Sequence, residues 1–411
     1  MFELAEWQRQ AGALKFPDRA VINGQHCAAQ SGQTFAAINP ATGHLLANVA
    51  ACGEADVDAA VRNARHVFEA GIWAQRPPAE RKQVLLRLAE LLMEHRQELA
   101  LLDSLNMGKP VMDAYNIDVP GAAGVFRWYA ESIDKLYDQI APGAVNVLAT
   151  ITREALGVVA AVVPWNFPLD MAAWKLAPAL AAGNSVILKP AEQSPFSALR
   201  LAELALEAGL PPGVLNVLPG LGEQTGKALG LHPDVDCLVF TGSTQVGKYF
   251  MQYSAQSNLK QVWLECGGKS ANLLFADCRD LDLAAEKAAF GIFFNQGEVC
   301  SANSRLLVER SIHDAFVERL KAQAERWLPG DPLDPQSRAG AIVDQRQTVS
   351  IMRAIREAGQ AGASLVCGGQ QRRFNGSDNF IEPTIFTGVS ADMALFREEV
   401  FGPVLAVGPF D

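Results

Sequence analysis

What this chain lacks narrows its function before any motif is read. Its seven cysteines, at positions 27, 52, 237, 266, 278, 300 and 367, are scattered and form no CxxC pair. That excludes a zinc ribbon, a thioredoxin-type redox pair and a disulfide scaffold, and fits free thiols in a reducing cytoplasm. The six histidines (26, 44, 66, 95, 232 and 313) make no HExxH motif and no close pair, so no metal site is expected. Basic side chains are outnumbered, 35 Lys and Arg against 45 Asp and Glu, a net charge of −10. That balance argues against nucleic acid or an anionic membrane as a partner. The longest apolar run, LGVVAAVV at 156–163, is too short to cross a bilayer. The opening MFELAEWQRQ has no basic stretch followed by an apolar one, so no signal peptide is expected. No internal repeat or low-complexity segment breaks the pattern.

What is present is ordinary globular material: 49% hydrophobic and 19% charged residues over 411 positions, enough for two or three domains. Residues 1–53 read as a helix start followed by short strands. Apolar spacing predicts helices over 56–73, 78–105 and 118–137, and a strand over 144–154. The 78–105 stripe runs through Val84, Leu85, Leu88, Leu91, Leu92, Leu99 and Leu102 and reads as core. From 156 onward the pattern changes. Strands at 156–163, 185–189, 214–218, 237–240 and 262–266 alternate with helices at 169–182 and 195–207 and helices starting at 223 and 244. Such alternation predicts a parallel sheet with helices on both faces, whose ligands bind at the carboxyl ends of the strands.

The suggestive residues cluster at those ends: Asn166 after the first strand, Lys189 and Glu192 after the second, Gly220 and Gly222 after the third, Gly242 and Ser243 after the fourth, and Glu265 at the fifth. TGSTQVG (241–247) places small polar residues at a helix N-terminus, where free N–H groups attract phosphate. PGLGEQTG departs from a GxGxxG fingerprint by one residue and carries no assignment. In KPAEQSP, the Glu192 carboxylate can accept both ribose hydroxyls of an adenosine and would repel a 2′-phosphate, favouring NAD over NADP. Glu265, ending a hydrophobic strand, should be partly desolvated and more basic than usual. Asn166, bracketed in VPWNFP, offers an amide donor for an oxyanion. Finally FNQGEVCSA (294–302) puts Cys300 between a helix and a strand, where its sulfur and its own N–H can face one cavity. Each motif alone fits a bland reading: a buried thiol, a turn Asn, a surface ion pair.

Together, VPWNFP, KPAEQSP, FTGST, LECGGKS, FNQGEVC and EEVFGPV resemble, in order and spacing, the NAD(P)-dependent aldehyde dehydrogenase superfamily. RWYAESIDKLY and WKLAPALAAGNSVILKP are similar to members that oxidise γ-glutamyl-γ-aminobutyraldehyde and related aminoaldehydes in polyamine breakdown. The resemblance implies an α/β protein: a Rossmann-like parallel-sheet cofactor domain (1–138 and 157–265), an oligomerisation hairpin (139–156) and a catalytic α/β domain (266–411). It implies Cys300 as nucleophile, Asn166 with the Cys300 N–H as oxyanion donors, Glu265 as base and Lys175 as a proton-relay lysine. Trp165, Lys189, Glu192, Gly222, Gly242, Ser243, Gly247, Glu399 and Phe401 would hold NAD. The substrate would be a small aldehyde and the assembly a homo-oligomer. The alternatives are a cofactor-binding protein of the same fold without turnover, a thioester hydrolase using Cys300 and Glu265, and an aldehyde dehydrogenase of broad specificity. Two departures stand out: Glu298 replaces a usual Gln, and Asp170 replaces an apolar residue near the substrate path, where it would favour a cationic substrate. The family pattern also continues past GPVLAVGPFD, which predicts lowered stability, impaired oligomerisation and impaired turnover for this chain.

Overall fold

A computed structural model describes residues 3–411. Its centre is a sheet built from runs that only a fully covered strand tolerates. Val158–Val162 and Ser185–Lys189 are buried at every position, as expected for strands packed on both faces. Five strands run parallel in the order Gln261–Cys266, Cys237–Gly242, Val158–Val162, Ser185–Lys189, Leu215–Val217. Two short antiparallel strands, Ala20–Ile22 and Gln25–Cys27, extend the far edge. A second sheet holds Ala271–Leu274, Arg305–Glu309, Val404–Phe410 and Thr384–Thr387 in parallel, with Ser364–Cys367 antiparallel at its edge. Each sheet has its own core: Leu188, Val186, Leu176 and Leu199 are fully or almost fully buried in the first, Leu306, Val308, Phe316 and Val407 in the second.

The connecting helices match the expected ones with shifted ends. The 78–105 stripe is two helices, Pro78–Glu94 and Arg96–Met107, because His95 leaves helical geometry at φ −95° and ψ 17°. Its imidazole Nδ1 pairs with Glu98 one turn on, at 2.9 Å, so the break has a local anchor. The expected helix at 118–137 is α-helical only over Val119–Ser132 and tightens to a 3-10 turn at Ile133–Lys135. The helix expected from 223 begins as a π-turn, Gly222–Gly226, before Lys227–Leu231. Around 139–156 the chain makes a hairpin, with Gln139–Ala141 antiparallel to Ala149–Ile151. Its side chains stand out in solvent, Ile140 at 73% exposure and Leu148 at 75%. Among the described residues, no helix is long and apolar enough to cross a membrane.

Candidate active site

The helix Leu281–Phe293, capped by Asp280 through the Leu283 N–H, ends just before the cysteine loop. There the chain turns through three left-handed residues in a row, Asn295 (φ 51°), Gln296 (φ 57°) and Gly297 (φ 73°). A side chain at Gly297 would overlap the Gly402 carbonyl, so only glycine fits against that neighbouring turn. The two non-glycine residues carry strain on the order of 1–2 kcal/mol each, and hydrogen bonds hold them in place. Gln296 accepts the Gly340 N–H at 2.9 Å, and the Asn295 amide donates to the carbonyls of Asn166 and Glu298, both at 3.2 Å.

This turn delivers Cys300, half-buried, to the wall of a cavity of about 220 Å³. Trp165, Asn166, Gly242, Ser243, Glu265, Glu399 and Phe401 line the same cavity. Side chains separated by more than a hundred residues in the chain therefore meet in one place, at the carboxyl ends of the parallel strands. Asn166 is buried at 3% exposure, and its amide donates to the Glu298 carbonyl at 2.9 Å. That uses one of two amide N–H groups. Burial pushes the Cys300 thiol up from its ordinary pKa, and the Glu265 carboxylate pushes it further. The N–H groups of Ser301 and of Cys300 itself pull the other way. The two leading influences favour the thiol over the thiolate in the resting site.

Glu265 corrects an expectation. It was read as partly desolvated, yet it is exposed. The reason lies in its strand, which sits at the sheet edge with Trp263 at 64% and Leu264 at 38% exposure on both of its faces. Glu399 is held just past the end of the same strand. The Gly268 N–H donates to its carboxylate at 3.4 Å, and any side chain at Gly267 would collide with that carboxylate. Burial raises the Glu399 pKa against the Gly268 N–H and Lys269. Phe401, left-handed at φ 54°, packs edge-on against Trp165 with ring centroids 5.3 Å apart.

Five expected site residues lie outside this cavity. Lys175 lines an adjoining depression of about 430 Å³ that shares Glu265 as a wall. Burial lowers its pKa, and Glu265 opposes that shift. Lys189 is buried at 2% and donates to Glu192 at 3.2 Å, so it fixes the carboxylate while Glu192 keeps about a third of its side chain in solvent. Gly247 sits in the first turn of Thr244–Gln256, a helix capped by Ser243, and packs against Cys266. Gly222 opens its π-turn into free space. Two lining residues lie outside every motif quoted from the sequence. Met171 lies a turn beyond Asn166. Gln347 comes from Gln345–Gln360 and donates to the carbonyls of Phe401 at 2.8 Å and Val400 at 3.3 Å. The one local signal near Gln347 was its helix cap, Asp344, which accepts the Gln347 N–H at 2.7 Å.

A profile of the aldehyde dehydrogenase family matches residues 26–411. The chain is 51% identical over 407 residues to the NADP/NAD-dependent aldehyde dehydrogenase PuuC of Escherichia coli, covering 99% of this chain and 81% of that protein. It is 50% identical over 406 residues to an aminoacetaldehyde dehydrogenase of Pseudomonas aeruginosa, covering 99% of this chain and 81% of that protein. Among solved structures, a γ-glutamyl-γ-aminobutyraldehyde dehydrogenase of Burkholderia cenocepacia superposes with a TM-score of 0.98 at 54% identity, covering all of this chain and 83% of that one. An indole-3-acetaldehyde dehydrogenase in complex with NAD+ superposes at 0.99 and 52% identity, with the same coverage.

Proposed function

Because the chain belongs to the aldehyde dehydrogenase family, we propose that it oxidises an aldehyde to a carboxylate through a covalent bond to Cys300. The observation that carries this reading is the convergence of Cys300, Asn166 and Glu265 on one cavity beside Glu399 and Phe401. Cys300, deprotonated, attacks the aldehyde carbon, and the carbonyl oxygen takes the negative charge. The second Asn166 N–H and the Cys300 N–H are the donors for that oxygen. After oxidation, the thioester on Cys300 is cleaved by water, with Glu265 taking the proton. The exposure of Glu265 gives it access to that water. Lys175 lies along the same carboxylate and can carry the proton outward.

The residues present fit NAD. Ser243 caps the helix Thr244–Gln256, leaving unpaired first-turn N–H groups for a pyrophosphate. Gly242 and Gly247 leave no room for a side chain against Phe240 and Cys266, and the partly exposed Glu192 suits ribose hydroxyls. Glu399, Phe401 and Trp165 stand where the nicotinamide end would lie, facing Cys300. When bound, NAD accepts the hydride.

The aminoaldehyde substrate suggested by two relatives has local support. Asp170 lies near Asp118 and Lys109, with Asp103 and Asp113 in the same buried cluster. Four carboxyl groups thus face one ammonium. Burial, aided by Asp118, raises the Asp170 pKa to about 6. Asp170 is not among the residues lining the Cys300 cavity, so its attraction for a substrate amine would act at a distance. Asp170→Leu is expected to cut the preference for an aminoaldehyde over a plain aliphatic aldehyde by about tenfold. An unchanged ratio of kcat/KM values would remove the assignment. Asn166→Ala is expected to lower kcat by about 10²–10³-fold with little change in NAD affinity; single-turnover NADH formation measures it. The exposed hairpin around Ile140 and Leu148 is proposed as a contact between copies of the chain. Elution as a monomer at micromolar concentration would remove that reading. The direct test of the activity is NADH production over a panel of aldehydes with Cys300→Ala as the blank. Ester turnover independent of NAD, without aldehyde oxidation, would replace it with a thioester hydrolase.

A further inference from the structure

One carboxyl in the cysteine loop has no part in the mechanism above. Glu298 is 0% exposed, two residues before Cys300. Its Oε1 accepts the Val343 N–H at 3.1 Å, and its Oε2 has no partner. Among the described residues no basic side chain forms an ion pair with it. Lys109, the buried cation in this region, is already paired with Asp118. A carboxylate buried against one backbone N–H, with an amide but no cation pairing it, is poorly compensated, so this geometry suits a protonated acid.

The same residue joins three parts of the site. Its carbonyl takes the Asn166 amide at 2.9 Å and the Asn295 amide at 3.2 Å. Its side chain grips Val343, beside the Gly340 N–H held by Gln296. The next residue, Asp344, caps Gln345–Gln360 and also accepts from Gln193 at 3.3 Å. From the first turn of that helix, Gln347 reaches the Phe401 carbonyl. A path of hydrogen bonds and one peptide link therefore runs from the Cys300 loop to the turn that carries Phe401.

We propose that Glu298 is a positioning residue: as an uncharged carboxylic acid it latches the Cys300 loop to the 340–343 segment and, through Asp344 and Gln347, to the Phe401 turn. This rests on the reading of Cys300 as nucleophile. Burial, with the Asp344 carboxylate beside it, raises the Glu298 pKa well above the usual range, against the Val343 N–H, the Gln296 amide and Lys109. Neutrality matters for function, since a fixed negative charge two residues from Cys300 would hinder formation of the thiolate.

The test needs no turnover. Hydrogen exchange and Cys300 alkylation by iodoacetamide are followed by peptide mass spectrometry in the full chain, in Glu298→Gln and in Glu298→Ala. Glu298→Ala should speed exchange at 340–347 and around Phe401 by at least about tenfold, while Glu298→Gln stays within about twofold of the parent. The alkylation curves of parent and Glu298→Gln should superimpose between about pH 6 and 8, where an ionised Glu298 would separate them. Unchanged exchange in Glu298→Ala would overturn the latch. A Glu298→Gln curve displaced to lower pH would overturn the neutral acid. Should Glu298→Ala not fold, the alkylation curves decide alone. A parent chain without aldehyde oxidation would sink the proposed function and leave both readouts interpretable.

Discussion

Cys300→Ala is expected to lower aldehyde-dependent NADH formation by at least about four orders of magnitude, the loss typical of deleting a covalent nucleophile. Cofactor binding survives the change, because Ser243, Glu192 and the N-terminus of Thr244–Gln256 do not depend on the thiol. Quenching of Trp165 fluorescence by NAD is the check, since that indole lines the cavity beside Phe401. A variant that keeps more than about one per cent of the parent rate would mean that another group attacks the aldehyde. Cys266, which lines the same cavity, is the first such candidate. Burial, with Glu265 adjacent, raises its pKa as well, so it holds no advantage as a nucleophile.

Glu265→Gln is expected to separate the two halves of the reaction. Water attack on the thioester loses its base, and steady-state turnover falls by about 10²–10⁴-fold. The first half does not need Glu265, so a stoichiometric burst of NADH persists. A second effect has the opposite sign. Glu265 is one of the groups holding the Cys300 pKa above its ordinary value. Removing its negative charge favours the thiolate, so the alkylation curve of Cys300 moves to lower pH and the rate at neutral pH rises. Loss of both burst and turnover, with unchanged alkylation, would assign Glu265 to folding or binding in place of catalysis.

Much of this site was legible because each part is local. A buried strand announces itself as VVAAV or SVILK, and the polar residues just beyond such strands had to lie at one edge of the sheet. The cysteine loop followed from a helix, a glycine and a strand in close succession. Less legible was anything set by packing across the two sheets. The exposure of Glu265 depends on what stands beside an edge strand, which the strand's own residues do not record. Gln347 enters the cavity from a helix whose pattern resembles any amphipathic surface helix. Its partners are carbonyls more than fifty residues away. The break at His95 was hidden because leucines on both sides keep the helical period through it. Glu298 was visible as an unusual charge beside the nucleophile. That it is wholly buried, its carboxyl on the Val343 N–H, belongs to tertiary structure.

The proposed mechanism requires a covalent bond at one sulfur, and that bond can be weighed. Glu265→Gln, mixed with excess aldehyde and NAD, then quenched in acid and digested, should carry the acyl mass on the peptide containing Cys300 and on no other cysteine. Without NAD that mass should be absent. An unmodified Cys300 in a sample that has released its burst of NADH, or an acyl group on a different thiol, would contradict the mechanism.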